Sequence, residues 1–547
     1  MAAYHSIPLM VQDSVHKSRP YQPSQWGDFF LDFKPCTPPQ YLSMEGRAKA
    51  KKHEVRQIIL DTASSSDLLQ KLDLVDTLQR IGVDYHYKKE IDELVRDIHD
   101  DKTELFDLRT AALRFYLLRK HGYRVSSDVF SKFIDDNGNI GSGDATSLLG
   151  LYNAAHLRTH GEKILDVAII STKKLLKSII ENLDPTIAQE VQYSLETPLF
   201  RRTHRVETKR YILAYEKKFT RSEAILEFAK LDYNLVQGLY CDELKNITIW
   251  WNPFDIRTHL IWARDRMVEM HFWMMGIFFE PHYSYQRTVL TKLYLIISVF
   301  DDFYDNYSTS EESRMFTTAI TRWDENAAEQ APAYMRSFYK GIVATIDQIE
   351  EELKLQKNKH AELVKSLIID AAKCYHAEVK WRDQQYVPSN LTEHLQISVR
   401  SSVCMHMSNL AFVLMGDVTS SEAIQWAWKF PTIIRAVCTV GRIMNDITSH
   451  EREQVSQHVV STVQTCMKEN GCTLEQANEK LNKLVEEAWM DIREGCMKPT
   501  AHPLEVLSRA VNVARTMDFM YKRKDAYTLP RSIKGILDSI YVYSMDI

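Results

Sequence analysis

Glycine and proline are scarce in this chain, with 17 glycines and 16 prolines among 547 residues. Glycine loosens a helix and proline interrupts one, so their scarcity permits long helices. Apolar residues recur at intervals of three and four, most clearly over residues 162–183 and 360–381. This spacing is typical of amphipathic helices, and the alternation typical of strands is nearly absent. The sequence therefore predicts an all-α protein.

Other absences exclude classes of function. No apolar run approaches the roughly 18 residues of a membrane-spanning helix. With a net charge of −5 and no basic stripe, the chain lacks the positive surface of a nucleic-acid-binding protein. The eight cysteines include no C-x-x-C pair, and their wide spacing is typical of reduced, intracellular thiols. Because the N-terminal residues lack the composition of a targeting peptide, we expect a cytoplasmic protein, with a monomer as the default state.

The length of the chain favours two domains. A polar interruption around residues 215–225 separates two helical regions, and we place the domain boundary there. The expected domains are residues 1–220 and residues 221–547.

An acidic cluster follows the apolar run YLIISVF. Asp301, Asp302 and Asp305 fall within five positions, and Asp301 and Asp305 would share one face of a helix. Like charges so close repel one another, and a bound cation would relieve the repulsion. Hard oxygen ligands favour Mg²⁺ or Mn²⁺ over softer metals. The alternative is a solvated helix end that is acidic by coincidence.

A second polar stripe places Asn445, Ser449 and Glu453 at intervals of four, again on one helical face. An amide, a hydroxyl and a carboxylate suit a metal ion that is bound jointly with an anionic substrate. Asp446 lies about 100° round the helix from this stripe, so we expect it to matter less. The alternative is an exposed polar stripe without a ligand.

Arginines accompany both stripes. Arg264 and Arg266 precede the aspartates along the chain, and Arg442 lies three residues before Asn445. Arginine is suited to bidentate contact with phosphate. Each of these arginines alone could be a surface ion-pair partner. Together, two oxygen-rich stripes and two arginine sites predict a metal-bridged diphosphate.

At this point the sequence resembles the plant class I terpene synthases of the angiosperm sesquiterpene synthase type. The segments that carry the resemblance include RPYQPSQWGDFF (19–30), RDRMVE (264–269), FFEPHYS (278–284), DDFYD (301–305), TRWDENA (321–327) and NDITSHERE (445–453). The resemblance implies a catalytic C-terminal class I isoprenoid-synthase helical bundle and a non-catalytic N-terminal relict α-barrel. It also implies Mg²⁺-dependent ionisation of farnesyl diphosphate to a carbocation and diphosphate, followed by cyclisation and then deprotonation or water capture.

The resemblance further assigns roles to individual residues. The implied ligands of three Mg²⁺ ions, for which Mn²⁺ can substitute, are Asp301, Asp302, Asp305, Asn445, Ser449 and Glu453. The implied diphosphate contacts are Arg264, Arg266 and Arg442. The implied pocket residues are Trp273, Tyr294, Ser298, Ser401, Ser402, Asp525 and Tyr527.

The chain departs from the family pattern at two places. Ser456 and Gln457 stand where related enzymes commonly have a basic residue followed by glycine, which puts in doubt a role of this loop in closing over the diphosphate. Met520 stands where some relatives have a tyrosine implicated in reprotonation, and Tyr521 follows it.

Competing interpretations make different demands on the sequence. A class II cyclase needs a D-x-D-D motif, and the nearest segment is DIHDD (97–101). A chain-elongating prenyltransferase needs two DDxxD motifs, and the second stripe here has another form. A non-catalytic helical scaffold would release no diphosphate from a prenyl substrate.

The length of the substrate's chain is the remaining question. The landmarks Arg19, Pro20 and Trp26 come too early for a plastid transit peptide to precede them. We therefore expect a cytosolic enzyme for the fifteen-carbon farnesyl diphosphate. A monoterpene synthase acting on the ten-carbon geranyl diphosphate is the alternative.

Overall fold

A computed structural model describes residues 21–135, 138–141, 143–454 and 459–547. Arg19, Pro20, Ser456 and Gln457 lie outside the described residues. The described part is built from helices, and its one β-feature is an isolated bridge between Ile134 and Ile140. The prediction of an all-α protein is confirmed.

The α-helices of the described residues are α1 (Phe29–Asp32), α2 (Pro38–Ala63), α3 (Leu68–Arg80), α4 (Lys88–Asp100), α5 (Leu108–Lys120), α6 (Ala145–Ala155), α7 (Lys163–Ile179), α8 (Pro185–Glu196), α9 (His204–Tyr215), α10 (Glu223–Trp251), α11 (Ile256–His259), α12 (Met267–Ile277), α13 (Ser284–Asp302), α14 (Ser310–Arg322), α15 (Arg336–Leu355), α16 (Leu363–Gln384), α17 (Leu391–Ser401), α18 (Cys404–Leu414), α19 (Ser421–Trp428), α20 (Thr432–Glu453), α21 (Thr462–Asn470), α22 (Leu474–Gly495), α23 (Leu504–Met520) and α24 (Lys534–Tyr541). Short 3₁₀ turns connect several of them, and one π-helical turn, Phe303–Tyr307, follows α13. No described helix has both the length and the apolar character needed to cross a membrane.

Two helical regions share one apolar core. The polar interruption noted in the sequence forms the connection between α9 and α10. In the first region, α5 packs against α6 and α6 against α7. Helix α10 of the second region packs against α2 of the first. Buried apolar side chains run continuously from Trp26 in the first region to Tyr541 in the last helix.

Six helices form the bundle that positions the candidate site. Helix α12 packs against α13 and α23, α16 packs against α13 and α18, and α20 packs against α18 and α23. The apolar faces of these helices meet one another and form a closed ring. Residues at the ends of several of them therefore face a common interior.

A buried ionic network holds three helices of the second region together. Glu243 on α10 accepts hydrogen bonds from Arg287 on α13, at 2.6 and 2.8 Å, and its Oε2 lies 2.8 Å from His271 Nε2 on α12. Burial raises the pKa of Glu243, but Arg287 and His271 outweigh it and bring the pKa down to about 2. The carboxylate is therefore ionised and compensates the fully buried charge of Arg287.

We predict that Glu243→Gln destabilises the protein by about 3–5 kcal/mol, because it leaves Arg287 buried without a countercharge. The shift of the urea unfolding midpoint, followed by circular dichroism, measures the effect. Glu311→Gln is the control, since Glu311 pairs with Arg314 at the surface, and we expect no measurable shift. Equal shifts in the two variants would contradict the prediction.

Candidate active site

The six-helix ring surrounds a cavity with about 1020 Å³ of open space, its mouth included. Most of the residues that the sequence predicted for a site line this cavity. They are Arg264, Trp273, Tyr294, Ser298, Asp301, Asp305, Ser401, Ser402, Arg442, Asn445, Glu453, Asp525 and Tyr527. Arg266, Asp302 and Ser449 are fully buried beside it and do not line it.

The acidic cluster lies where α13 changes its hydrogen-bonding pattern. The α-helix ends at Asp302, and the amide of Ser308 donates to the carbonyl of Phe303 at 2.8 Å, five residues back. The sequence predicted that Asp301 and Asp305 share one face of a helix, and the helix that carries them changes from α to π between the two residues. The π-helical turn inserts one extra residue into the helix. Both carboxylates still face the cavity, and Phe303 is buried in the core.

Arg264 separates the roles of the two adjacent aspartates. Its Nε lies 2.9 Å from Asp302 Oδ1, its backbone amide donates to Asp302 Oδ2 at 2.7 Å, and its Nη2 pairs with Asp301. The Asp302 side chain is 0% exposed, whereas that of Asp301 is 34% exposed toward the cavity. Burial raises the pKa of Asp302, and Arg264 opposes the rise. Asp302 thus contacts Arg264 instead of the cavity, which differs from the expected role as a metal ligand.

Arg266 does not reach the cavity, contrary to the expectation of a diphosphate contact. Its guanidinium donates to the carbonyls of Asp265 at 2.9 Å, Tyr527 at 3.0 Å and Thr528 at 3.5 Å. Backbone acceptors therefore occupy this arginine. Its role in the structure is to hold the segment after α23 that carries Tyr527.

Aromatic side chains form one wall of the cavity. The Tyr527 hydroxyl donates to Ser298 Oγ at 2.6 Å, and the Trp273 ring lies edge-on to the rings of Tyr527 and Tyr521 at centroid distances of 5.6 and 6.0 Å. Arg264 Cζ lies 4.9 Å from the Tyr527 centroid. The Arg264 guanidinium thus lies next to a group of aromatic rings, and such rings can stabilise a cation in the cavity.

A break between α17 and α18 faces this wall. Helix α17 ends at Ser401, and Val403 has a φ of 52°, a left-handed conformation that is strained for a β-branched residue. The Tyr294 hydroxyl donates to the carbonyl of Val403 at 2.7 Å. Tyr294 thereby stabilises the break, and the segment that contains Ser401 and Ser402 borders the cavity as the sequence predicted.

The second polar stripe lies on α20 and has an unsatisfied oxygen at its centre. Asn445 and Glu453 line the cavity, and Ser449 is 0% exposed. Ser449 Oγ has no hydrogen-bond partner within the part of the chain that the structure describes. A buried hydroxyl without a partner between two other oxygen ligands is what a hard divalent cation would satisfy. The residues present therefore fit a metal ion.

Arg442 is held by acceptors from the neighbouring helix α17 and from its own helix α20. It donates to the Ser398 carbonyl at 3.1 Å, to Asp446 Oδ1 at 3.2 Å and to Ser401 Oγ at 3.2 Å. Burial lowers the pKa of Arg442, but Asp446 and Glu378 outweigh it and hold the pKa above its ordinary value. The guanidinium is therefore charged at the edge of the cavity.

The sequence analysis missed several residues that line the cavity, namely Tyr21, Tyr375, Glu378 and Arg452, and it did not place Asp446 there. Asp446 Oδ2 accepts from the backbone amide of Thr462 at 2.7 Å, and Arg452 Nη2 donates to Asp525 Oδ2 at 2.7 Å. Arg452 and Asp446 belong to the segment NDITSHERE, so their neighbourhood was visible in the sequence.

Glu378 on α16 is a buried acid that no motif indicated. Its Oε1 accepts from Ser401 Oγ at 2.6 Å. Burial raises the pKa of Glu378, and Arg442 opposes the rise. Glu378 thereby contributes to the electrostatic environment of Arg442.

Comparisons with known proteins match nearly the whole chain. Family models described as "Terpene synthase, N-terminal domain" and "Terpene synthase family, metal binding domain" match residues 25–195 and 252–491. A (E)-beta-caryophyllene synthase of Zea mays is 55% identical over 95% of both chains, and a beta-sesquiphellandrene synthase of Sorghum bicolor is 44% identical over 96% of both. The crystal structure of isoprene synthase from grey poplar leaves, in complex with three Mg²⁺ ions and dimethylallyl-S-thiolodiphosphate, is similar with a TM-score of 0.86 at 29% identity, covering 96% of this chain and 99% of that one.

We predict that Gly441→Ala destabilises the protein by about 1–3 kcal/mol through overpacking. A Cβ there would lie 2.6 Å from Cys404 Sγ and 3.3 Å from Met517 Cγ. The additional change Cys404→Ala should recover most of the loss, as measured by thermal unfolding in a double-mutant cycle. Gly238→Ala on α10 is the matched control, because its Cβ meets only the Tyr41 ring at 3.6 Å. A Gly441→Ala variant as stable as the control would overturn this account.

Proposed function

Because this chain belongs to the terpene synthase family, we propose that it is a sesquiterpene synthase. The family resemblance seen in the sequence is confirmed. In the proposed reaction, farnesyl diphosphate ionises to a carbocation and diphosphate, and the cation cyclises before it loses a proton or captures water. The observation that carries the proposal is that two oxygen-bearing stripes, one at the end of α13 and in the π-helical turn after it and one on α20, border one cavity with an aromatic wall. The products named for the two grass relatives are fifteen-carbon hydrocarbons, which supports the fifteen-carbon substrate.

The metal is proposed to be Mg²⁺, bound as three ions, with Mn²⁺ as a substitute. The residues that would hold it are Asp301, Asp305, Asn445, Ser449 and Glu453. When bound, Mg²⁺ supplies Lewis-acid stabilisation of the negative charge that develops on the departing diphosphate. The complex of isoprene synthase with three Mg²⁺ ions supports this assignment. Asp302 is proposed to orient Arg264 and not to bind the metal.

The protein's own cations and rings complete the chemistry. Arg264 and Arg442 are proposed to bind diphosphate oxygens, and Arg266 to position the segment that carries Tyr527. Trp273, Tyr294, Ser298, Ser401, Ser402, Asp525 and Tyr527 are proposed to form the pocket. Its rings would exclude water, which would otherwise end the reaction early, and would each stabilise positive charge by about 0.5–2 kcal/mol.

We propose that residues 221–547 form the catalytic domain and residues 1–220 a non-catalytic one. Of the described residues that line the cavity, all except Tyr21 belong to the second range. We also propose that the protein is cytosolic, since the wide spacing of the eight cysteines is typical of a reducing compartment. A monomer is proposed as its default oligomeric state. A fluorescent fusion and analytical ultracentrifugation test these two points.

We predict that Asp301→Ala, Asp305→Ala and Glu453→Ala each lower kcat by at least about 10²-fold, because each removes a ligand of the cations that stabilise the leaving group. Release of volatile product from farnesyl diphosphate and Mg²⁺, read by gas chromatography–mass spectrometry, measures the effect. Thermal unfolding shows whether the fold is kept. Asp97→Asn is the control, since Asp97 is an exposed residue of α4, and it should have the wild-type rate. A near-normal rate for either aspartate variant would refute the metal assignment.

Asp446→Asn should lower kcat by about 10²-fold in protein that is still folded at the assay temperature, as thermal unfolding establishes. The asparagine keeps the size of the side chain and loses the charge that orients Arg442 and holds the amide of Thr462. Displacement of a substrate contact by about 1 Å has an effect of this size. The same product assay measures it, with Asp97→Asn again as the control. A wild-type kcat would return Asp446 to the minor role that the sequence suggested.

The fifteen-carbon substrate should be consumed faster than the ten-carbon one when the two compete at equal concentration. The metal and diphosphate contacts are common to both, whereas the longer chain gains about 0.8 kcal/mol for each additional buried CH₂. Product ratios at low conversion provide the measurement. Faster consumption of geranyl diphosphate would show that the enzyme is a monoterpene synthase.

A further inference from the structure

A second cluster of potential metal ligands lies outside the catalytic cavity. Asp370 and Cys374 are one turn apart on α16, and His406 lies on α18. Their ligand atoms all lie within 4.8 Å of one another. None of the three lines the cavity, although Cys404 and Met407 of the same helix α18 do.

The distances in this cluster are close to those of a coordination shell. His406 Nε2 lies 2.9 Å from Asp370 Oδ2, and Cys374 Sγ lies 3.8 Å from the same oxygen. Ligand atoms of a tetrahedral zinc site are about 3.3–3.6 Å apart, given zinc bonds of about 2.0–2.3 Å. Small side-chain adjustments would therefore bring all three groups around one ion.

The state of the histidine ring is compatible with a metal. His406 is 0% exposed, and its Nδ1 makes no hydrogen bond to any described residue. Moving the ring proton from Nε2 to Nδ1 would break no contact except the one to Asp370, which the ion would replace. Asp370 is 29% exposed, so water could occupy a fourth position.

The donor set selects the kind of metal. Thiolate and imidazole favour zinc-like ions, whereas Mg²⁺ needs several oxygen ligands and would find one carboxylate here. Arg400 and Lys373 add positive charge near Asp370. This charge further disfavours Mg²⁺, which is bound mainly by electrostatic attraction to oxygen ligands. We propose that Asp370, Cys374 and His406 form a Zn²⁺ site that links α16 to α18 and is separate from the catalytic metals.

Co²⁺ is the probe for this site, because a thiolate ligand gives an ultraviolet charge-transfer band that carboxylate sites do not give. The reduced, chelator-treated full-length protein is titrated with Co²⁺ in the presence of excess Mg²⁺, which competes with Co²⁺ for the oxygen-rich catalytic site. We expect the band to saturate at one equivalent and to disappear when Zn²⁺ displaces Co²⁺. The absence of the band would overturn the proposal.

Variants assign the band to its ligands. Cys374→Ser should abolish it, and His406→Gln should weaken Co²⁺ binding at least about tenfold. Cys36→Ser is the matched control, since Cys36 is also a half-buried thiol, and it should leave the titration unchanged. Circular dichroism establishes that each variant is folded, and His406→Gln provides the test if Cys374→Ser does not fold. A band that persists in Cys374→Ser, or wild-type affinity in His406→Gln, would contradict the proposed site.

Discussion

Repulsion between carboxylates that face one cavity is the constraint on which this structure depends. Asp301, Asp305 and Glu453 all face one interior. Three arginines supply charge of the opposite sign from the protein itself, Arg264 beside the first stripe and Arg442 and Arg452 beside the second. Each guanidinium has several acceptors, so its position is fixed together with its charge. The cavity can therefore hold acidic ligands in place before any other cation arrives.

The two arginines of the RDR segment show how local backbone assigns different tasks to identical side chains. Arg264 and Arg266 precede α12, which begins at Met267, so helical geometry does not apply to them. One side chain is directed at the aspartates and the other at the carbonyls of residues 527 and 528. The first carries charge at the cavity. The second, Arg266, fixes the backbone that carries the Tyr527 ring. Both arginines therefore help to form the wall of the cavity that contains Tyr527.

The sequence predicted those features that depend on helical periodicity and on ligand chemistry. The all-α fold and the stripe on α20 follow from spacing along single segments, and the pocket position of Trp273 follows from the family resemblance. The π-helical turn could not be predicted, because a change of hydrogen-bond partner leaves no mark on the composition of FYDNY. Glu378 was missed because an acid on an amphipathic helix is usually solvent-facing, and its burial depends on packing against α17. The contacts of Asp446 were missed for a similar reason, since its partner Thr462 is brought close by tertiary structure.

The π-helical turn after Asp302 restricts which insertions and deletions this region can accept during evolution. An exchanged side chain alters one position, whereas a residue gained or lost within Phe303–Tyr307 would rotate everything that follows relative to everything that precedes. Such a rotation would move Asp305 away from Asp301 or expose Phe303, which is buried in the core. Segment length here is under stricter constraint than residue identity. The spacing between Asp301 and Asp305 is thus constrained by the packing of Phe303 in the core as much as by the ligand in the cavity.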